Sequence, residues 1–477
     1  MRNYKLTLIL LLALGSAFVP ELLLAAESLP SGMNLTHHWV GLSALVLFVL
    51  AYGMVVAEEF THLRKSKAVI LGAGAMWAMI GWVYAQSGDQ HSVENAVKYY
   101  MTEFAELFLF LLSAMTYVNA MSERNVFEAL RSWLVTRGWG YRRLFWVTGT
   151  LAFFLSPLID NLTTALVMCA VLLAVGKGNK QFISLGCINV VVGANAGGAF
   201  SPFGDITTLM VWQKQYVHFW QFFDLFVPAV VNFVIPAAIM HFAVPDGHPD
   251  TSGDSVRMKR GAKRMMGLFA LTITLAVSFH NFLYLPPFLG MVTGLSLLQI
   301  FGYYLRITHK PKPSDNANYG NVGDVTAFDG YQHIARAEWD TLLFFFGVIM
   351  AVGGLSYVGH LALVSAYMYG QLGATTANIL IGLLSAIVDN IPVMVAVLQM
   401  QPHMHLGQWL LVTLTAGVGG SLLSIGSAAG VALMGQARGI YTFFSHLKWS
   451  WAVGLGYAAS IAVHIWFNGG TFSFGGS

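Results

Sequence analysis

The sequence predicts an all-α polytopic membrane protein built from two inverted repeats, each with five transmembrane helices, a re-entrant hairpin and a broken helix. Three observations predict it. First, 56% of the 477 residues are hydrophobic and 10% are charged. A soluble domain carries about 25% charged residues, so water is not the main solvent of this surface. Second, the basic residues sort to one side once the apolar segments are threaded through a bilayer. Third, one series of polar and glycine-rich motifs occurs twice, in the same order.

The elements follow in chain order. Arg2 and Lys5 precede an apolar run interrupted by Pro20 and Glu21, and Ala25-Ala26 supplies small residues for cleavage. Residues 1–26 therefore read as a signal peptide or an extra N-terminal helix. Pro20-Glu21 would sit badly in a lipid-facing span, which favours the signal peptide. Ten full crossings follow, near 39–57, 68–85, 103–121, 181–212, 219–244, 266–284, 286–305, 339–358, 408–436 and 449–467. A helical span needs about 20 apolar residues. Two more apolar stretches, 144–176 and 376–400, have polar centres at Asp160-Asn161 and Asp389-Asn390. A polar, turn-forming centre suits a hairpin that enters and leaves on one face. Lipid permits that backbone only where protein or a water-filled cavity surrounds it.

Charge tests this threading. With Arg64, Lys65 and Lys67 inside, all of the 25 Lys and Arg fall inside except Lys98 and Lys214, a strong positive-inside bias. A single crossing at 144–176 would move every later loop to the other face and destroy the bias. The second hairpin then lies outside, where its flanks, 360–376 and 401–408, contain no Lys or Arg. The layout is a first repeat over 39–244, a cytoplasmic connection over 245–265, and a second repeat over 266–467. A hydrophilic cytoplasmic loop, 306–338, interrupts the second repeat. An odd number of crossings per repeat inverts the second copy.

The repeat is visible in three motifs. Ser156–Leu162 (SPLIDNL) aligns with Ser385–Ile391 (SAIVDNI), and Gly197–Asp205 (GGAFSPFGD) aligns with Gly419–Ser427 (GGSLLSIGS). Upstream, Glu106 and Asp340 each stand at the start of an aromatic-rich helix. One such match could arise by chance between Gly/Ser-rich apolar segments. Three in one order, with matching topology, favour a true repeat. Inverted repeats with discontinuous helices point to a site near the membrane midplane in secondary transporters.

The chemistry of these residues suits a small hard cation. An Asp near the bilayer centre costs at least ~2.5–3.5 kcal/mol and is a functional candidate by default. The plainer alternative is a turn residue or helix cap, which Asp and Asn favour. Two buried Asp at equivalent positions favour function. Candidate cation ligands are Asp160, Asn161, Thr163 and Thr164 on the first hairpin and Ser385, Asp389 and Asn390 on the second. Asn195, Asp205, Thr207, Thr208, Ser424 and Ser427 lie at or beside the helix breaks, where freed carbonyls would add ligands for sodium or lithium. For the Ser and Thr residues, ordinary interhelical hydrogen bonding is the alternative. Asp160, Asp389, Glu106 and Asp340 are candidate proton carriers. Glu106 and Asp340 read equally well as caps at helix N-termini. Burial and like-charge proximity favour the protonated form of a carboxylic acid, so shared carboxylates can exchange a proton for a cation.

Other chemistry is not visible. Glu58, Glu59, Glu103 and Glu338 read as interfacial, and His241, His280 and His464 as hydrogen-bonded core residues. Cys169 and Cys187, the only cysteines, read as buried inert thiols. No transition-metal motif, phosphate-binding loop or nucleophile elbow is present, so an enzyme has no apparent machinery. No basic, aromatic-interleaved patch points to nucleic acid. The expected partners are membrane lipid and the transported ions, with no cofactor.

At Ser156–Leu166, Gly193–Leu209, Glu338–Gly347, Ser385–Val393 and Gly419–Gly430 the chain resembles the NhaD-type sodium/proton antiporters of the ion-transporter superfamily. The order of these motifs covers most of the chain. The resemblance implies exchange of cytoplasmic sodium or lithium for external protons. It also implies a fold similar to arsenite and dicarboxylate carriers, with a scaffold and a mobile transport part that holds the hairpins and broken helices. A bacterial inner membrane fits the chain better than a plastid envelope, and carriers of this fold are often homodimers. Two rivals remain: an arsenite or carboxylate carrier of the same fold, and an uncoupled ion channel. Acidic hairpin tips oppose an anionic substrate, because like charges repel. The repeats also differ: Asp205 aligns with Ser427 and Thr163 with Pro392, so the first half is expected to hold more of the cation site.

Overall fold

The structure is a computed structural model that describes residues 32–61, 63–176, 178–248, 256–308 and 330–472. The 1–26 segment and most of the 306–338 loop lie outside the described residues. All regular structure among the described residues is helical.

The first half begins with three helices, α1 (Trp39–Val56), α2 (Lys65–Ser87) and α3 (Gln90–Glu123). A short α4 (Val126–Val135) leads to a hairpin of α5 (Tyr141–Ile159) and α6 (Asn161–Val175). A broken helix follows as α7 (Lys180–Gly198) and α8 (Ile206–Gln213), and α9 (Phe226–His241) closes the half. The second half runs α10 (Ala262–Leu283), α11 (Pro287–Ile307) and α12 (Trp339–Tyr357), then a hairpin of α13 (Ala374–Ser385) and α14 (Asn390–Met400). Its broken helix is α15 (Leu406–Gly419) and α16 (Ala428–Gln436), and α17 (Ser450–Phe467) ends it. Among the described residues, seven helical segments are long and apolar enough to cross a membrane. The remaining expected crossings are α1, which is shorter, and the two broken helices.

Packing between the halves is reciprocal. α2 packs on α12 and α3 packs on α11. Trp77 of α2 donates Nε1–H to Met350 O at 2.8 Å, and Tyr117 of α3 donates its hydroxyl to Gly294 O at 2.6 Å. The outer pairs, α1 with α2 and α10 with α11, match in the same way. They present Val46, Val49, Phe282 and Ile300 outward, an apolar surface suited to lipid rather than water.

Each hairpin packs on its own broken helix, α5 on α7 and α13 on α15. Glycine makes this approach possible. A Cβ on Gly197 would lie 2.1 Å from Phe153 O, and one on Gly419 would lie 2.1 Å from Gly382 O. No larger residue fits either position without moving the backbone. The second half-helices start with matched caps. Asp205 accepts from Thr207 N at 3.0 Å, and Ser427 accepts from Gly430 N at 3.3 Å. A side-chain oxygen in that position satisfies a helix-start N–H that has no partner within the helix.

One expectation changes here. Glu106 is not at a helix start, because α3 begins at Gln90 and places it well inside the helix. Asp89 caps that earlier start by accepting from Ser92 N at 3.2 Å, and Ala96 and Tyr100 are fully buried in the added turns. The polar residues Glu94 and Lys98, which resemble a loop in sequence, form a pair at 2.6 Å along the helix. Asp340 does lie in the first turn of α12. Cys169 and Cys187 are buried free thiols with Sγ atoms 3.8 Å apart. His464 lies buried with Nε2 2.9 Å from Gly407 O.

Candidate functional site

The first hairpin turns at Asp160. Its φ of 68° and ψ of 158° fall in a region that costs a non-glycine residue about 1–3 kcal/mol and clusters at functional sites. Thr163 offsets part of this cost. Its N–H donates to Asp160 Oδ1 at 2.7 Å and its hydroxyl donates to Oδ2 at 2.9 Å. Asp160 is thus both the turn and the cap of α6.

The next residue reaches the first helix break. Asn161 Nδ2 donates to Asp205 Oδ2 at 3.0 Å and to Asn195 Oδ1 at 3.2 Å. From the other hairpin, Asn390 Nδ2 donates to the same Asp205 Oδ2 at 2.8 Å. Asp205 is buried, at 5% exposure, so one carboxylate is held by amides from both hairpins. Asn195, fully buried, donates Nδ2 to Ser421 Oγ at 2.9 Å and links the two breaks.

The second tip is built differently. Asp389 occupies the N-cap position of α14 and makes no side-chain cap bond. Its Oδ2 lies 3.5 Å from Lys65 Nζ on α2, and its Oδ1 is buried with no hydrogen-bond partner among the described residues. Lys65 Nζ also sits 4.4 Å from the centre of the Phe344 ring.

These groups share a cavity of about 100 Å³ between the hairpin tips and helices α3, α10 and α12. Its ionisable lining is Lys65, Asp160, Asp205, Glu338 and Asp389, and aromatic walls include Phe110, Phe269 and Phe345. Thr164 Oγ1 and Ser424 Oγ are buried without hydrogen-bond partners among the described residues. Thr208 donates instead to Ser201 O at 2.8 Å, and Ser385 to Ala416 O at 2.7 Å. Asp340 accepts from Ser66 Oγ on α2 and stands outside the cavity lining. Glu106 lines a second cavity of about 620 Å³ with Glu103, Lys214 and Gln399. The same helices line both cavities with apolar residues: Phe110, Leu209 and Ile391 line the first, while Leu107, Met210 and Val395 line the second.

Sequence reasoning misses four contributors. Lys65 counts there only as an inside charge, and Glu338 only as an interfacial acid. Ser421 stands within the second Gly-rich motif, where nothing local marks it as the partner of Asn195. Gln399, at 4% exposure with neither amide atom bonded among the described residues, is a visible polar residue in an apolar arm.

A family model described as a citrate transporter (CitMHS) matches residues 22–417. The chain is 54% identical over 462 residues to the Na(+)/H(+) antiporter NhaD of Vibrio cholerae serotype O1, covering 94% of this chain and 97% of that protein. It is 57% identical over 406 residues to the Na(+)/H(+) antiporter NhaD of Vibrio parahaemolyticus, covering 83% and 98%. Sodium/proton antiporter 1 of Arabidopsis thaliana is 31% identical over 468 residues, covering 94% of this chain and 77% of that protein.

Proposed function

The chain belongs to the citrate-transporter (CitMHS) family and to the NhaD-type sodium/proton antiporters, and from that membership and the site geometry we propose that it exchanges cytoplasmic sodium or lithium for external protons. The observation that carries the reading is Asp205 Oδ2, which accepts at once from Asn161 of one hairpin and Asn390 of the other. Any ion that binds this carboxylate acts on both hairpins together. Each Asn amide carries an acceptor oxygen as well as its donors. Rotation of those amides would replace N–H donors with oxygen ligands around a cation. Asp160 and Asp389 complete an anionic, all-oxygen set suited to a hard ion. Protonation of the same carboxylates removes the charge that holds the cation, so the two ions compete.

Alternating access needs a moving body and a fixed one. The hairpins and broken helices form the transport part, and α2, α3, α11 and α12 form the scaffold. The smaller cavity is bordered by Lys65 and Glu338, next to loops rich in basic residues, and is the cytoplasmic approach. The larger cavity, with Glu103, Glu106 and Lys214, is the external one. The reciprocal packing of the halves supports an inverted repeat. The bacterial relatives support an inner-membrane location, and a homodimer is proposed by analogy of architecture. The family model's description also raises citrate as cargo. Four acidic side chains against one lysine in the cavity disfavour a tricarboxylate.

The test uses everted membrane vesicles with a pH-sensitive dye. Sodium should dissipate the acid interior with wild-type protein. Asp160→Asn should abolish the response, and wild-type exchange by that variant would remove Asp160 from the mechanism. Citrate uptake without sodium-driven proton movement would replace the antiport reading altogether.

A further inference from the structure

The tip of the second hairpin meets a positive charge from another part of the molecule. Lys65 is the first residue of α2, in the scaffold, and Asp389 is on the transport part. Their separation of 3.5 Å exceeds the roughly 2.7–2.9 Å of a tight charge-assisted bond. The pair is partly sheltered, with side-chain exposures of 20% and 15%. Lys65 also stands at the N-terminal end of its helix, where aligned peptide dipoles disfavour a cation. The remaining attraction comes from Asp389 and from the face of Phe344.

Why Asp389 is available follows from sequence. In the first hairpin, Thr163 supplies both an N–H and a hydroxyl to Asp160. The aligned residue in the second hairpin is Pro392, which has neither donor. Asp389 therefore lacks the local partners that Asp160 has. A sheltered carboxylate left unpaired is costly, and Lys65 supplies its counter-charge from outside the hairpin. Glu338, Asp160 and Asp205 line the same cavity, so a cation entering there meets the oxygens that Lys65 holds.

We propose that Lys65 is a tethered internal cation: it occupies Asp389 when the carrier holds no transported ion and is displaced when one binds. The long, mixed contact with carboxylate and ring suits a partner that must leave. Because the pair joins scaffold to hairpin, its release also frees the hairpin tip to move. This inference deepens the cation–proton exchange reading and rests on it.

Two measurements on the purified full-length protein test it. In the first, wild-type protein is briefly acetylated with acetic anhydride and modification of Lys65 is followed by mass spectrometry. Sodium chloride should raise that modification about threefold or more over choline chloride, because a displaced ammonium is freed from its partner. Unchanged or reduced modification would overturn the proposal. In the second, sodium binding is measured calorimetrically. Lys65→Met and Lys65→Gln should each tighten binding about threefold to fivefold, the upper part of the range for a partly screened pair, while Lys65→Arg stays within about twofold. Weaker or unchanged binding in both neutral variants would mean that Lys65 is only structural. Exchange by the wild type in proteoliposomes separates the two readings. Exchange without a sodium effect on Lys65 rejects this inference alone. A sodium effect on Lys65 without proton exchange rejects the antiport reading instead.

Discussion

The two hairpin tips carry the same Asp-Asn pair and use it in different ways. Asp160 is closed on itself: Thr163 satisfies both carboxylate oxygens within one helical turn. Asp389 is open: no cap bond forms, one oxygen faces Lys65 and the other has no hydrogen-bond partner among the described residues. The paired Asn residues behave alike, since both donate to Asp205. The difference therefore does not come from the motif. It comes from one neighbour, Thr163 against Pro392. The two tips share a sequence motif, and one position gives their carboxylates different partners.

The sharpest loss should follow from making the first break resemble the second. Asp205→Ser keeps an effective N-cap, because Ser caps as well as Asp, so α8 should persist. The variant loses the charge that both Asn amides bond. Hydrogen bonds to a charged acceptor are worth about 1.5–3 kcal/mol each, and two are lost. Sodium-driven proton exchange in proteoliposomes should fall by roughly a hundredfold or more. Exchange within a factor of about three of wild type would mean that the halves contribute equally and that Asp205 is no hub.

A smaller effect is expected from opening the first tip. Thr163→Val removes the hydroxyl and keeps the backbone N–H, so Asp160 loses one of its two bonds. The sodium concentration for half-maximal exchange should rise about tenfold or somewhat more, as for one lost bond to a charged group. The maximal rate should change less. If half-saturation is unchanged while the maximal rate collapses, Thr163 serves movement of the hairpin and not the ion.

Much of this arrangement is legible in sequence, for a physical reason. Asp160-Asn161, Asp389-Asn390 and the two Gly-rich breaks are polar or conformationally permissive points in apolar runs. They mark where backbone cannot remain a simple lipid-facing helix. The clustering of Asp160, Asn161, Asn195, Asp205 and Asn390 follows once those breaks meet. What sequence conceals is pairing across distance. Lys65 and Asp389 are 324 positions apart, and no local period encodes their contact. Glu106 departs from its expected place for the opposite reason. Local polarity at Glu94 and Lys98 imitates a loop, while the burial of Ala96 and Tyr100 that keeps the helix intact depends on packing partners elsewhere.

The smallest expected effect is the most discriminating. Pro392→Thr gives the second tip the donor residue of the first. A new cap bond is worth about 0.5–2 kcal/mol, but removing proline restores about 0.4–1 kcal/mol of chain freedom to the unfolded state. These contributions oppose each other, so thermal stability and sodium affinity should each stay close to wild type, the affinity within about twofold. The informative change is in the response to Lys65. With the introduced threonine bonded to the Asp389 carboxylate, the lysine no longer has sole claim to it. Lys65→Met should then tighten sodium binding less in the Pro392→Thr background than in wild type. Undiminished tightening would show that the cap does not form or does not compete, and that the openness of Asp389 has a cause other than Pro392. A diminished response would tie the different behaviour of the two tips to a single proline.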